Sequence, residues 1–86
     1  MYLLVIRPRA EKNFSKIPSK LQEKILKSLK RLEEDPFQLG LDIKKLVGTK
    51  RSYRMRVGEL RVIYEMNTTA KEIYVTDIDF RRTTSY

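Results

Sequence analysis

The spacing of apolar residues changes along the chain. Tyr2–Arg7 is a short run of apolar β-formers closed by Pro8, which predicts a strand. Pro8 suits the first turn of a helix, where its missing N–H costs nothing. Ala10, Phe14 and Ile17 then recur at i, i+4 and i+7, one face of a short helix that Pro18 ends. Ser19 is placed as an N-cap, with Gln22 at the capping-box spacing. Leu21, Ile25, Leu29 and Leu32, broadened by Leu26, form the stripe of a second helix over Ser19–Glu34. Glu23 with Lys27 and Lys30 with Glu34 are i, i+4 pairs on its outer side. Asp35-Pro36 stops it, so the two helices form a hairpin.

Residues 36–51 carry no clear period and are expected to be irregular, with a short turn at Asp42–Leu46. From Ser52 the period becomes two. Tyr53, Met55 and Val57 alternate with Ser52, Arg54 and Arg56, and Leu60, Val62, Tyr64 and Met66 continue the apolar side. Gly58-Glu59 between them has Gly first, as a type II′ hairpin turn prefers. The polar loop Asn67–Ala70 leads to a third run, Glu72–Phe80, and a polar, basic tail, Arg81–Tyr86. The predicted order is β-α-α-β-β-β. This is an α+β fold, with a small, mostly antiparallel sheet and both helices on one face.

Composition narrows the chemistry. Eighty-six residues are expected to form a single domain spanning residues 1–86. No apolar run approaches the roughly 18 residues of a membrane span, and Met1–Ile6 has no basic segment before it as a signal peptide would. A cytoplasmic location without membrane contact is the expectation. The chain has no Cys and no His, which removes disulfides, thiolate zinc sites and histidine acid–base catalysis. Three glycines leave no glycine-rich nucleotide loop. No metal and no cofactor are expected. Nineteen Lys and Arg against eleven Asp and Glu give a net charge of +8, which points to an anionic partner, nucleic acid first.

The hairpin register locates that charge. With Gly58-Glu59 as the turn, Val57 faces Leu60, Arg56 faces Arg61, Met55 faces Val62, Arg54 faces Ile63 and Tyr53 faces Tyr64. Arg54, Arg56 and Arg61 then share the side away from the helices. Like charges directly opposite each other cost up to about 1 kcal/mol, so the cluster favours an anion lying across the sheet. Arginine forks suit phosphate. Glu65, expected on the same side, is the acid that could neutralise part of the cluster. Arg81, Arg82 and Tyr86 come after the last strand. A phenol among guanidiniums has its pKa lowered and can take a proton from a ribose 2′-hydroxyl, while arginines stabilise the charge developing on phosphate. Asp77 and Asp79, at i, i+2, read as balancing Arg81 and Arg82 rather than as metal ligands. On the long helix, Lys20, Lys24, Lys27 and Arg31 form a second basic stripe, read first as a solvated face and second as a contact for rRNA or an acidic partner helix.

The stretch Lys44-Lys45-Leu46-Val47-Gly48, then Tyr53-Arg54-Met55-Arg56-Val57-Gly58-Glu59-Leu60-Arg61-Val62-Ile63-Tyr64, resembles the RelE/ParE toxin superfamily, and within it the RelE-like mRNA interferases. The tail Phe80-Arg81-Arg82-Thr83-Thr84-Ser85-Tyr86 is similar to the family's ending, with Phe80 where a His is frequent and Arg54 and Arg56 where lysines are. The resemblance implies a ribosome-dependent endoribonuclease that cuts A-site mRNA by 2′-hydroxyl attack on phosphate. It implies Arg61 and Arg81 as phosphate stabilisers and Tyr86 as the base or nucleophile-orienting group. Arg54, Arg56, Arg82, Lys45 and Lys50 are the accompanying RNA-binding residues. The implied partners are the ribosome, through rRNA and A-site mRNA, and a RelB-like acidic antitoxin. Two other readings stay open: a ParE-like toxin directed at gyrase, and a non-catalytic RNA- or ribosome-binding module.

Overall fold

The computed structural model describes residues 1–80. Seven elements occur in order: β1 (Leu3–Ile6), α1 (Pro8–Ser15), α2 (Ser19–Glu34), β2 (Asp42–Lys45), β3 (Ser52–Val57), β4 (Leu60–Asn67) and β5 (Glu72–Phe80). The strands form one sheet in the order β1-β5-β4-β3-β2. Its pairs are antiparallel except β1 with β5, which run parallel. The helical hairpin between β1 and the remaining strands supplies the crossover that this parallel pair requires.

Pro8 opens α1, as expected, but the cap of α2 differs from the sequence expectation. Ser19 is the first helical residue and Pro18 holds the N-cap position, with no side-chain capping bond. Gln22 instead donates from Nε2 to the carbonyl of Phe14 at 2.9 Å, tying α2 to the end of α1. Residues 36–51 are also not wholly irregular, because Asp42–Lys45 adds an edge strand to β3.

The hairpin register is the predicted one at every position from Tyr53–Tyr64 to Val57–Leu60. Gly58 opens its turn at φ +61°, where a non-glycine residue would be strained although a Cβ would meet nothing within 4 Å. The core lies between the helices and one side of the sheet. Ala10, Ile17, Ile25, Leu29 and Leu32 meet Met55, Leu60, Val62, Tyr64, Met66, Ile73, Val75 and Ile78 there. Tyr53 stacks on Tyr64 with ring centroids 5.6 Å apart.

One irregularity decides which residue of β5 faces Arg61. In the β4–β5 ladder Tyr64 opposes Val75, yet its neighbour Ile63 opposes Asp77. Thr76 is the extra residue of this β-bulge, and its Oγ1 donates to the carbonyl of Ile63 at 3.2 Å.

Candidate nucleic-acid interface

The side of the sheet away from the helices carries a row of four charged residues. Across β2, β3, β4 and β5 it reads Asp42, Arg56, Arg61, Asp79. The two arginines stand directly opposite each other, as the register demanded. Each is drawn outwards by an acid on its far side. Arg61 donates from Nε and Nη2 to the two carboxylate oxygens of Asp79, both at 3.1 Å. Arg56 Nε lies 3.7 Å from an Asp42 oxygen. The like-charge contact is therefore bracketed by negative charge on both flanks, a stabilising influence that the sequence pattern did not reveal.

The two flanking pairs differ in kind. The Arg61 and Asp79 side chains are 23% and 32% exposed, whereas Arg56 and Asp42 are 41% and 62% exposed. The first is a two-point, charge-assisted fork with a fixed plane. The second is a long surface contact of the kind worth about 0–1 kcal/mol.

A second basic row lies one step along the sheet. Arg54 is half-buried, opposite Ile63 on one side and Lys44 on the other. Lys45, expected among the RNA-binding residues, stands opposite Tyr53, so the strand alternation turns it to the other side. Lys44 takes the position beside Arg54. Lys50 is exposed in the turn before β3, at the end of that strand away from Arg56 and Arg61. Arg81, Arg82 and Tyr86 lie outside the described residues.

Glu65 does not neutralise the cluster. It stands between Ser52 and Tyr74, further along β4, and lines a small cavity with Arg7, Arg51, Met66, Asn67 and Tyr74. The Arg7 guanidinium caps the Tyr74 ring there, 4.8 Å from its centre. Asp77 and Asp79 also part company. Asp77 accepts from Asn13 Nδ2 at 2.8 Å and from the Ile78 amide at 2.9 Å, and Arg9 approaches it at 3.7 Å. It serves α1, while Asp79 serves Arg61.

Among the described residues two phenols, Tyr64 and Tyr74, have displaced pKa values, and both are raised. Tyr64 is pushed up by burial and then by neighbouring Tyr53. Its hydroxyl is buried with no hydrogen-bond partner among the described residues. Tyr74 is raised chiefly by its hydrogen bond to Glu72, against the opposing pull of Arg7. Neither is made more acidic, so neither is prepared to act as a base.

Asp42 and Lys44 are residues of this face that sequence reasoning missed, and Asp79 is one that it set beside Arg81 and Arg82 and not opposite Arg61. A signal existed for the first two, because Asp42 and Lys44 alternate with Leu41, Ile43 and Leu46 loosely enough to suggest an edge strand. For Asp79 the obstacle was the bulge, which shifts its opposing residue by one position.

Comparison with known proteins agrees with this architecture. The family model for the ParE toxin of type II toxin-antitoxin systems, parDE, matches residues 4–84. No curated protein matches the chain. Among solved structures, the archaeal RelE-RelB complex from Pyrococcus horikoshii is similar at 30% identity and a TM-score of 0.81, covering 93% of this chain and 94% of that one. The RelB-RelE complex from Methanococcus jannaschii is similar at 24% identity and 0.78, covering 92% of each chain. The isolated E. coli RelE toxin has the same fold, at 23% identity and 0.78, covering 93% of this chain and 84% of that one. Fold, the arginine-bearing hairpin and the match over nearly the whole chain lead to one assignment: this protein belongs to the ParE toxin family of type II toxin–antitoxin systems, within the RelE/ParE superfamily.

Proposed function

We propose that the toxin is a metal-independent, ribosome-dependent endoribonuclease that cuts mRNA in the A site and so inhibits translation. The observation that carries this reading is the gathering of Lys44, Arg54, Arg56 and Arg61 on a sheet face that the helices leave uncovered. A single strand of RNA can lie across such a face with its phosphates on the guanidiniums. In the reaction the ribose 2′-oxygen attacks the adjacent phosphorus and loses its proton to a base. The bond from phosphorus to the 5′-oxygen breaks, and that oxygen takes up a proton from solvent. Arg61, with Arg81, stabilises the negative charge that builds on the phosphate. Tyr86 accepts or orients the 2′-hydroxyl proton. Arg54, Arg56 and Arg82, with Lys44 and Lys50 at the margins, hold the RNA. Arginines cannot exchange protons at neutral pH, so the proton steps fall to Tyr86 and water.

The inhibitor in this reading is an acidic antitoxin. Similar chains are found in RelE-RelB complexes, and a +8 toxin suits an acidic segment that folds on binding. A second reading has its own support, since the matching family model is that of the ParE toxin. In it the toxin acts on gyrase by protein contact and has no need of the arginine row.

Induction of the toxin in cells, with primer extension on an abundant transcript, separates the two. Cuts within translated codons are expected, and they should vanish in an Arg61→Ala, Tyr86→Phe double variant. Growth arrest with intact mRNA and broken or relaxed DNA would transfer the assignment to gyrase.

A further inference from the structure

The Arg61–Asp79 fork depends on a single inserted residue. If the β4–β5 ladder continued without its bulge, the register of Tyr64 with Val75 would bring Ile78 opposite Arg61. With Thr76 inserted, Ile78 moves opposite Val62 and Asp79 opposite Arg61. The insertion is itself held, by Thr76 on the carbonyl of Ile63 and by Asp77 on Asn13 of α1. β-Bulges re-aim side chains in this way beside functional sites. On the other flank of the row no such device operates, and Asp42 meets Arg56 only at 3.7 Å.

We propose that Asp79 is a positioning residue for the toxin's reaction: the bulge at Thr76 sets its carboxylate against the Nε–Nη2 edge of Arg61 and so fixes the guanidinium plane that meets the reacting phosphate. Arg56, loosely tethered to Asp42, instead adapts to the incoming RNA. The row then divides its labour, with one arginine fixed for chemistry and one mobile for capture. This inference rests on the cleavage reading. Its physical basis is that a guanidinium must already be oriented when charge develops on phosphate, because reorienting it then adds to the barrier. A fork fixed at two points loses little freedom on engaging the substrate.

The test uses the full-length toxin and ribosomes programmed with an mRNA of defined A-site codon, under single-turnover conditions. Asp79→Asn keeps the shape and one acceptor oxygen but removes the charge. It is expected to lower the rate at saturation by about tenfold to a hundredfold, with the half-saturating concentration unchanged or lower, since the protein becomes more basic. Asp42→Asn is expected to move the half-saturating concentration, by less than about fivefold. A second readout is independent of activity. The Arg61 side-chain Nε–H should exchange slowly in the wild type and rapidly in Asp79→Asn. Should Asp79→Asn not fold, Asp79→Glu keeps the charge, displaces it by one methylene, and is expected to lower the rate in the same way.

An unchanged or raised rate in a folded Asp79 variant, with Arg61→Ala inactive, overturns the proposal and leaves the cleavage reading standing. An inactive wild type, or an Arg61→Ala variant as active as wild type, removes the cleavage reading and this proposal with it.

Discussion

β4 belongs to two environments at once. On one side Leu60, Val62, Tyr64 and Met66 are at most 6% exposed and packed among α1, α2 and their sheet neighbours. On the other, Arg61, Ile63 and Glu65 are half-buried or exposed, and charged residues dominate. The first side is close-packed and apolar; the second is polar, charged and open. The contrast teaches where each kind of change will register. Substitutions on the covered side should act on folding, and substitutions on the open side should act on chemistry and binding, because the open arginines contribute little to burial.

The largest expected effect lies in the core. Leu32→Ala removes a fully buried side chain from α2 and should cost about 2–5 kcal/mol, read by urea unfolding. A loss below about 1 kcal/mol would break the division between the faces. On the open side, Arg61→Ala should lower cleavage by about a hundredfold to a thousandfold, the usual effect of deleting a charge-stabilising donor. Its effect on unfolding should stay at about 1 kcal/mol, since the pair that it breaks with Asp79 is partly exposed. Loss of fold on the scale of Leu32→Ala would mean that the arginine row is structural.

Tyr64→Phe sharpens the comparison from within the core. The ring and its stacking on Tyr53 remain, and a buried hydroxyl without a partner among the described residues is removed. Stability should hold or rise by about 1 kcal/mol. The same residue predicts a pH dependence. Burial raises its phenol above the ordinary value of 10, so above pH 10 the unfolded chain loses the Tyr64 proton while the folded chain keeps it. The unfolded state then binds fewer protons, and stability falls as pH rises. Alkaline unfolding of the wild type and Tyr64→Phe should diverge above pH 10, with the variant the more resistant. The smallest effect belongs to Asp42→Ala, which breaks a long surface pair. It should change stability by less than about 1 kcal/mol.

Local pattern carried most of the fold. The stripe of α2, the period-two runs of β3 and β4 and the Gly58-Glu59 turn each depend on neighbours in sequence, and each is found as expected. The arginine cluster was legible for the same reason, since the tight turn settles its register. What escaped depends on distant partners. Pairing of β1 beside β5 was not visible in either segment alone. β2 is short, and two adjacent lysines blur its alternation. The bulge at Thr76 turns on a one-residue shift between two strands, and without it Asp79 could not be set against Arg61. The alternation suggests Glu65 on β4 as the acid at the cluster, whereas the acids beside the arginines are Asp79 on β5 and Asp42 on β2.

The central claim is that the open arginine face is where RNA is cut. It is tested most directly by adding the purified toxin to ribosomes holding a labelled mRNA, beside the same toxin with gyrase and supercoiled DNA. The predicted result is mRNA cleavage at the A-site codon with wild type, loss of that cleavage with Arg61→Ala, and no effect on gyrase. Intact mRNA together with inhibited gyrase would contradict it.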